Sequence, residues 1–425
     1  MSEMTASAFP RSRVFLAMSL LVLLNLFNYI DRYVLPPVIP EIGREFSVDE
    51  TVKGTLATAF LVVYMLASPI FGIAADRYSR WVLVGIGMLI QVTGTLGSGL
   101  STTFGMLLMF RCIMGVGDAA YGPAAPTLIA ELFPLEKRGR ALAWFYAAIP
   151  VGSALGYVIG GVIAEATGSW RSPFYVITPP MIILGLACLM FKDGRHARSA
   201  APPIRPNWHD YRNLLCNRSY LLNCAGMTAL TFAIGGLSYW MPAYLELERS
   251  LSKTAANTTF GGILAATGLA ATLAGGWAGD RLRARYPGSY FIVSGTAMLV
   301  AVPLMLLMLI IPMPLCWIVI AAALFCLFFN TGPSNTIIAN VTLPRVRASA
   351  FALNIFIIHT LGDAISPPIL GYLKQVTGSH DAGFIVCAGV VALGGAFWLA
   401  GARHLARDTD TVERTILVEQ APISR

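Results

Sequence analysis

Apolar residues along this chain gather in long unbroken runs, set apart by short segments rich in Lys, Arg, Gly and Pro. A run of about 20 residues makes a helix about 30 Å long, the thickness of a bilayer's hydrocarbon. Bounded by their charges, the runs predict twelve helices. Six lie at 14–40, 52–75, 81–100, 103–133, 138–166 and 173–191, and six more at 219–245, 254–279, 289–311, 314–342, 347–373 and 382–402. Between the sixth and seventh runs lies 192–218, with Pro202, Pro203, Pro206 and five arginines. The chain is therefore expected to hold an N-terminal six-helix bundle (1–191), a linker (192–218), a C-terminal bundle (219–403) and a tail (404–425).

The loops divide by charge. Alternate ones hold Arg77 and Arg80; Lys137, Arg138 and Arg140; Arg281, Arg283 and Arg285; and Arg345 and Arg347, in register with the linker and both termini. The opposite loops hold Arg44, Lys53, Arg171, Arg249, Lys253 and Lys374. Lys and Arg are retained on the cytoplasmic side during insertion, so both termini and the linker are expected there. Arg11 and Arg13 before an apolar run resemble a signal sequence, but the run continues to Pro40 without a small-residue cleavage site and reads as a retained first helix.

The two halves repeat. Gly72, Asp76, Arg77 and Arg80 follow the second helix, and Gly276, Asp280 and Arg281 follow the eighth, with Asp76 and Asp280 204 residues apart. Arg138 after the fourth helix and Arg347 after the tenth are 209 apart. Two loops agreeing on nearly one offset point to an internal duplication of six helices.

Composition supports the bilayer. Of 425 residues 56% are hydrophobic and 12% charged, against roughly 25% charged in a soluble domain. A net charge of +8 could suggest nucleic acid, but the basic residues sit between apolar runs, where topology explains them. The seven cysteines show no paired spacing, and no metal, cofactor or nucleic-acid partner is expected. Neither a Gly-x4-Gly-Lys-Ser/Thr loop for ATP nor a Gly-x-Ser-x-Gly element occurs, which disfavours ATP-driven transport and a membrane-embedded enzyme.

Ionisable residues at membrane depth are expensive in hydrocarbon and persist where they face protein or water. Asn25, Asn28 and Arg32 recur at helical spacing in the first helix, with Asp31 beside Arg32. In the fourth helix Arg111 and Asp118 are seven residues apart, on one face and about 10 Å from each other. In the eleventh, His359 and Asp363 sit one turn apart and Ser366 continues the face. Two readings stand for the acids and arginines: static ion pairs that fix packing, or a translocation path whose carboxylate changes its proton affinity as its distance from Arg32 or Arg111 changes. His359 is open between a packing residue and a member of the same path. Glycines and prolines crowd the fifth and eleventh helices, at Pro150, Gly152, Gly156, Gly160 and Gly161, and at Gly362, Pro367, Pro368 and Gly371, where they permit close contact and bending.

The Gly-x-x-x-Asp-Arg-x-x-Arg loop at Gly72–Arg80 is the signature by which this chain resembles the major facilitator superfamily. The resemblance implies an all-α integral membrane protein of two pseudo-symmetric six-helix bundles, with the loop as a latch. Asp76 would pair with arginines or a helix N-terminus to hold one closed arrangement; Asp76, Arg77, Arg80, Arg138, Arg140, Asp280, Arg281 and Arg347 form the expected cytoplasmic gate. The plainer reading makes these topology charges only. Three further segments resemble the Spinster family: Asn28-Tyr-Ile-Asp31-Arg32 through Pro36, Arg111 through Asp118 and Tyr121 to Thr127, and Leu361 to Pro367. The family carries Glu where this chain has Asp118, shorter by one methylene.

That likeness implies a secondary transporter for amphipathic lipids, lysophospholipids or sphingoid types, with proton coupling as a hypothesis. The expected pathway residues are Asn28, Asp31, Arg32, Arg111, Asp118, Tyr121, His359 and Asp363. Tyr239, Trp240 and Met241, with Phe325, Phe328 and Phe329, would supply an apolar remainder, or serve packing or lipid contact instead. A monomer of prokaryotic type in a bacterial inner membrane is expected. The competing reading within the class is a permease or exporter of small organic anions or drugs; from other classes, an enzyme or a receptor.

Overall fold

In a computed structural model the protein is all helix; residues 11–133, 135–191, 208–283, 285–343 and 346–420 are described, apart from the side chains of some residues within the helices. The elements are α1 (Arg11–Tyr33), α2 (Ile39–Phe46), α3 (Glu50–Arg77), α4 (Arg80–Leu100), α5 (Phe104–Leu132), α6 (Leu135–Thr167), α7 (Ser172–Leu189) and α8 (Trp208–Cys216). They continue as α9 (Arg218–Leu247), α10 (Lys253–Arg283), α11 (Ser289–Ile310), α12 (Leu315–Phe328), α13 (Thr331–Asn340), α14 (Arg347–Ile358), α15 (Ser366–Thr377) and α16 (Asp381–Gln420). Among the described residues twelve helical spans are long and apolar enough to cross a membrane. Their outer faces leave Phe15, Leu66, Ile183, Leu273 and Ile310 each at least 60% exposed, surface that suits lipid rather than water.

Several spans depart from the expected runs for backbone reasons. The first does not run unbroken to residue 40: α1 stops at Tyr33, a short turn holds Pro36–Val38, and α2 resumes at Ile39. Pro36 and Pro37 lack the N–H groups that would continue the α1 ladder. The tenth breaks at Phe329–Asn330 because Pro333 offers no donor to the Phe329 carbonyl one turn back. Buried Asn330 satisfies the freed end, donating through Nδ2 to the carbonyls of Cys326 (3.3 Å) and Leu327 (3.1 Å). The eleventh passes through a π turn at His359–Asp363, where the Ala364 N–H reaches back five residues to the His359 carbonyl at 3.1 Å. Pro367 and Pro368 follow in the first turn of α15. The linker is not all loop, since α8 lies within it, and α16 carries the last span on to Gln420.

The chain falls into two compact units, residues 1–198 with 238–265, and 199–237 with 266–425. In the first, α4 packs on α5 and α7, α3 on α5, and α1 on α6. Lipid tails are as apolar as the helices, so association there depends on close packing and hydrogen bonds. Gly152, Gly156 and Gly160 on one face of α6 supply that closeness. A Cβ on each would stand 2.6 to 2.7 Å from the carbonyl oxygens of Leu26, Ile30 and Val34, so the glycines let α6 lie directly on α1 and its extension. In the second unit α11 packs on α12 and α16. Trp398 Nε1 donates to Asn223 Oδ1 (3.0 Å), whose Nδ2 donates to the Ser334 carbonyl (3.0 Å), tying α16, α9 and α13 through one buried amide.

Candidate functional site

The polar stripe of α1 is spent on three neighbouring helices. Asn25 Nδ2 donates to the Phe145 carbonyl of α6 at 2.8 Å. Asn28 Nδ2 donates to Asp118 Oδ1 of α5. Asp31, wholly buried, accepts at Oδ2 from Gln91 Nε2 (2.9 Å) and Thr95 Oγ1 (2.8 Å), both of α4. Arg32 leaves the helix in another direction: its guanidinium lies 4.8 Å from the ring centre of Phe60, 5.8 Å from Tyr64 and 5.9 Å from Tyr29. Such cation–ring contacts are worth about 0.5 to 2 kcal/mol each, more where water is excluded.

From α5, Arg111 shares the Phe60 ring at 5.3 Å and reaches the Met114 sulfur at 3.0 Å. Arg111 and Asp118 are 2% and 5% exposed. Both groups bear on Asp31 electrostatically. Tyr121 donates to the Leu21 carbonyl at 2.9 Å. The structure thus gathers Asn28, Asp31, Arg32, Arg111, Asp118 and Tyr121 of the expected pathway within the first unit, on the two helices α1 and α5. Four residues absent from the sequence reading complete this cluster: Gln91 and Thr95, which bind Asp31, and Phe60 and Tyr64, which carry Arg32. Gln91, Thr95 and Ser98 recur at i, i+4 and i+7 in an otherwise apolar helix, and that period was the available signal for α4. Phe60 and Tyr64 read as ordinary apolar positions of a membrane span.

His359 and Asp363 belong to the second unit. His359 Nδ1 stands 2.9 and 3.0 Å from the two Asp363 oxygens, and each side chain is about one-fifth exposed. Gly235 of α9 admits this turn, since a Cβ there would collide with the Asp363 side chain.

The expected gate is described in part. The side chains of Asp76, Arg77, Arg138 and Arg140 lie outside the described residues. Arg80 opens α4 behind Ser79, whose hydroxyl accepts from the Val82 N–H. Asp280 accepts from the Tyr290 hydroxyl at 2.7 Å, Arg281 lies 5.6 Å from the Trp277 ring, and Arg347 Nη2 reaches the Thr342 carbonyl at 3.3 Å.

Two charges read only as loop charges are buried instead. Lys53 and Lys253 are each 7% exposed. Lys53 Nζ donates to Glu50 at 2.5 Å, and Lys253 Nζ binds Glu41 with Glu246 at 3.9 Å. Tyr239 donates to the Lys53 carbonyl at 2.5 Å, and Glu165 accepts from the Thr254 N–H at 2.6 Å at the start of α10. Tyr239, Trp240 and Met241 are buried, which settles them against lipid contact, whereas Phe325, Phe328 and Phe329 are half-buried. All seven cysteines are free, and among the described residues no group of three or more metal-ligating side chains forms.

Known proteins place this architecture. The Major Facilitator Superfamily pattern matches residues 21–367. Protein spinster homolog 3 of Danio rerio is 30% identical, covering 96% of this chain and 88% of its own. Protein spinster homolog 1 of Homo sapiens is 32% identical over 92% and 81%. Among solved structures, a bacterial homolog of the human lysosomal transporter Spinster, inward-facing and unoccupied, superposes with a TM-score of 0.78 at 19% identity, over 96% of this chain and 99% of that one. A D-xylose-proton symporter gives 0.72 at 16%, over 91% and 97%. At those identities the two structures speak for the fold alone. Twelve apolar spans, the duplicated Gly-to-Asp-Arg loop and relatives matched over most of their length make this chain a multi-pass membrane transporter of the major facilitator superfamily, in its Spinster family.

Proposed function

We propose that the chain carries an amphipathic, lipid-like solute of lysophospholipid or sphingoid type by alternating access, coupled to protons. The observation that carries this reading is the gathering of two carboxylates and two guanidiniums at membrane depth, Asp31, Asp118 and Arg111 buried and Arg32 partly buried beside them. A purely structural helix contact needs no such charge, and charge at that depth marks a solute or proton path. Arg32 and Arg111 meet an anionic headgroup. Asp31 and Asp118 take up and release the proton as their distance from those arginines changes. The aromatic wall of Tyr29, Phe60 and Tyr64 suits the apolar part of such a solute, and Tyr121, His359 and Asp363 extend the path.

Release to each side in turn follows from rocking of one six-helix repeat against the other. Asp76, Arg77, Arg80, Arg138 and Arg140, with Asp280, Arg281 and Arg347, hold the cytoplasmic side when it is shut. Both termini face the cytoplasm of a bacterial inner membrane, and the carrier works as a monomer.

Counterflow in sealed proteoliposomes tests this directly, with labelled lysolipids and sugar acids compared at two pH values. Lysolipid exchange that rises with an imposed proton gradient and loses that dependence in Asp118→Asn supports the reading. Exchange of sugar acids alone transfers the chain to the small organic anion class, and full gradient dependence in Asp118→Asn removes that residue as a proton carrier.

A further inference from the structure

The two oxygens of Asp31 are treated differently. Oδ2 accepts from both Gln91 Nε2 and Thr95 Oγ1, while Oδ1 has no hydrogen-bond partner among the described residues. The same Thr95 hydroxyl lies 3.0 Å from the carbonyl of Gln91, one turn back in its own helix. A hydroxyl owns one hydrogen and two lone pairs, so Thr95 donates to one of these acceptors at a time. An ionised Asp31 takes that hydrogen at Oδ2. Once Asp31 is protonated, the hydrogen can turn to the Gln91 carbonyl, where a threonine in a helix is equally at home.

We propose that Thr95 is a positioning residue for proton coupling, a hydroxyl rotor that stabilises the buried Asp31 carboxylate and withdraws without an orphaned donor when the acid is protonated on Oδ1. The proton arrives at Oδ1 from water and returns to water, and Thr95 keeps its own hydrogen throughout. The rotor is held in place by backbone contact. A Cβ on Gly117 would collide with the Gln91 N–H nitrogen, and one on Gly87 would stand 2.8 Å from the Gly117 carbonyl, so α4 lies directly on α5 at the residue before Asp118. The charged groups facing Asp31 from α5 are Arg111 and Asp118. On its own helix the neighbour is Arg32. α4 brings the neutral Gln91 and Thr95, its one charged residue being Arg80 at its start. α6 and α7, which also pack on α1, carry no Asp, Glu, Lys, Arg or His over residues 141–164 and 172–189, where tyrosines and Cys188 are the titratable groups.

This inference rests on the proton coupling proposed above, so its test reads Asp31 without transport. Infrared difference titration of the full chain in nanodiscs identifies the Asp31 carboxylic-acid band as the one lost in Asp31→Asn. Thr95→Ser is expected to keep the wild-type midpoint. Thr95→Val and Thr95→Ala, which lack the donor to the carboxylate, are expected to move it to higher pH by about one unit, carrying the pH profile of lysolipid exchange with it. Two differently shaped replacements guard against one that fails to fold. Wild-type midpoints in the valine and alanine variants overturn the rotor and leave the coupling reading standing. Absence of any titrating Asp31 band in the wild type overturns both.

Discussion

Asp31 and Arg32 are adjacent in sequence, yet a helix turns about 100° per residue, so their side chains leave α1 toward different partners. Asp31 goes to the neutral donors of α4, and Arg32 to the rings of α3 and Tyr29. The Phe60 ring then serves two guanidiniums, those of Arg32 and Arg111. Phe60→Leu keeps apolar volume and removes the ring's quadrupole, so the two arginines lose their shared platform. Counterflow kinetics are expected to show a roughly ten-fold rise in KM, as two modest cation–ring contacts would give, with reconstitution yield unchanged. An unaltered KM would show that the ring does not set the arginines for substrate. The charged members of this cluster were legible in the sequence because charge is conspicuous in an apolar run. Gln91, Thr95, Phe60 and Tyr64 were not, because a neutral polar residue or an aromatic fits a membrane helix whether or not it touches a charge.

The helices themselves were the most legible feature, since a bilayer demands a long apolar run and little else resembles one. Their interruptions were harder to read: hydropathy sees side chains, whereas the breaks at Pro36–Val38, at Phe329–Asn330 and in the π turn at His359–Asp363 are set by which backbone N–H groups exist and where they point. Lys53 and Lys253 show the same limit, for loop position alone cannot reveal that a helix-terminal lysine is folded inward onto a glutamate. The glycines of α6 were read from the sequence as permitting close contact, and their seam on α1 makes a sharp test. Gly156→Leu forces several heavy atoms into the space of the Ile30 carbonyl and the Tyr33 side chain. Overpacking of this kind costs about 1 to 3 kcal/mol. Size-exclusion profiles of the variant are expected to show a large loss of monodisperse protein, while Gly262→Leu, where a Cβ would meet nothing within 4 Å, is expected to keep it.

At the scale of the molecule, the offset between the Asp76 and Asp280 loops marks two six-helix repeats, and the family shows that such repeats make a transporter. In the second copy Asp280 is bound by Tyr290 of the following helix. Asp76→Ala is expected to leave membrane insertion intact and to slow exchange several-fold, as loss of a latch would; equal rates in proteoliposomes would reduce the loop to a topology signal. Resemblance alone pointed to a substrate class, because charge at membrane depth does not name a solute.

The proposed transport depends on water reaching the α1–α5 cluster from each side in turn. A single cysteine at Tyr64, beside Arg32, in a chain whose seven native cysteines have been replaced, reports that access to membrane-impermeant maleimides. Labelling from one side under one condition of pH and solute, and from the other side under another, is the expected result. Protection from both sides under every condition would contradict alternating access through this cluster.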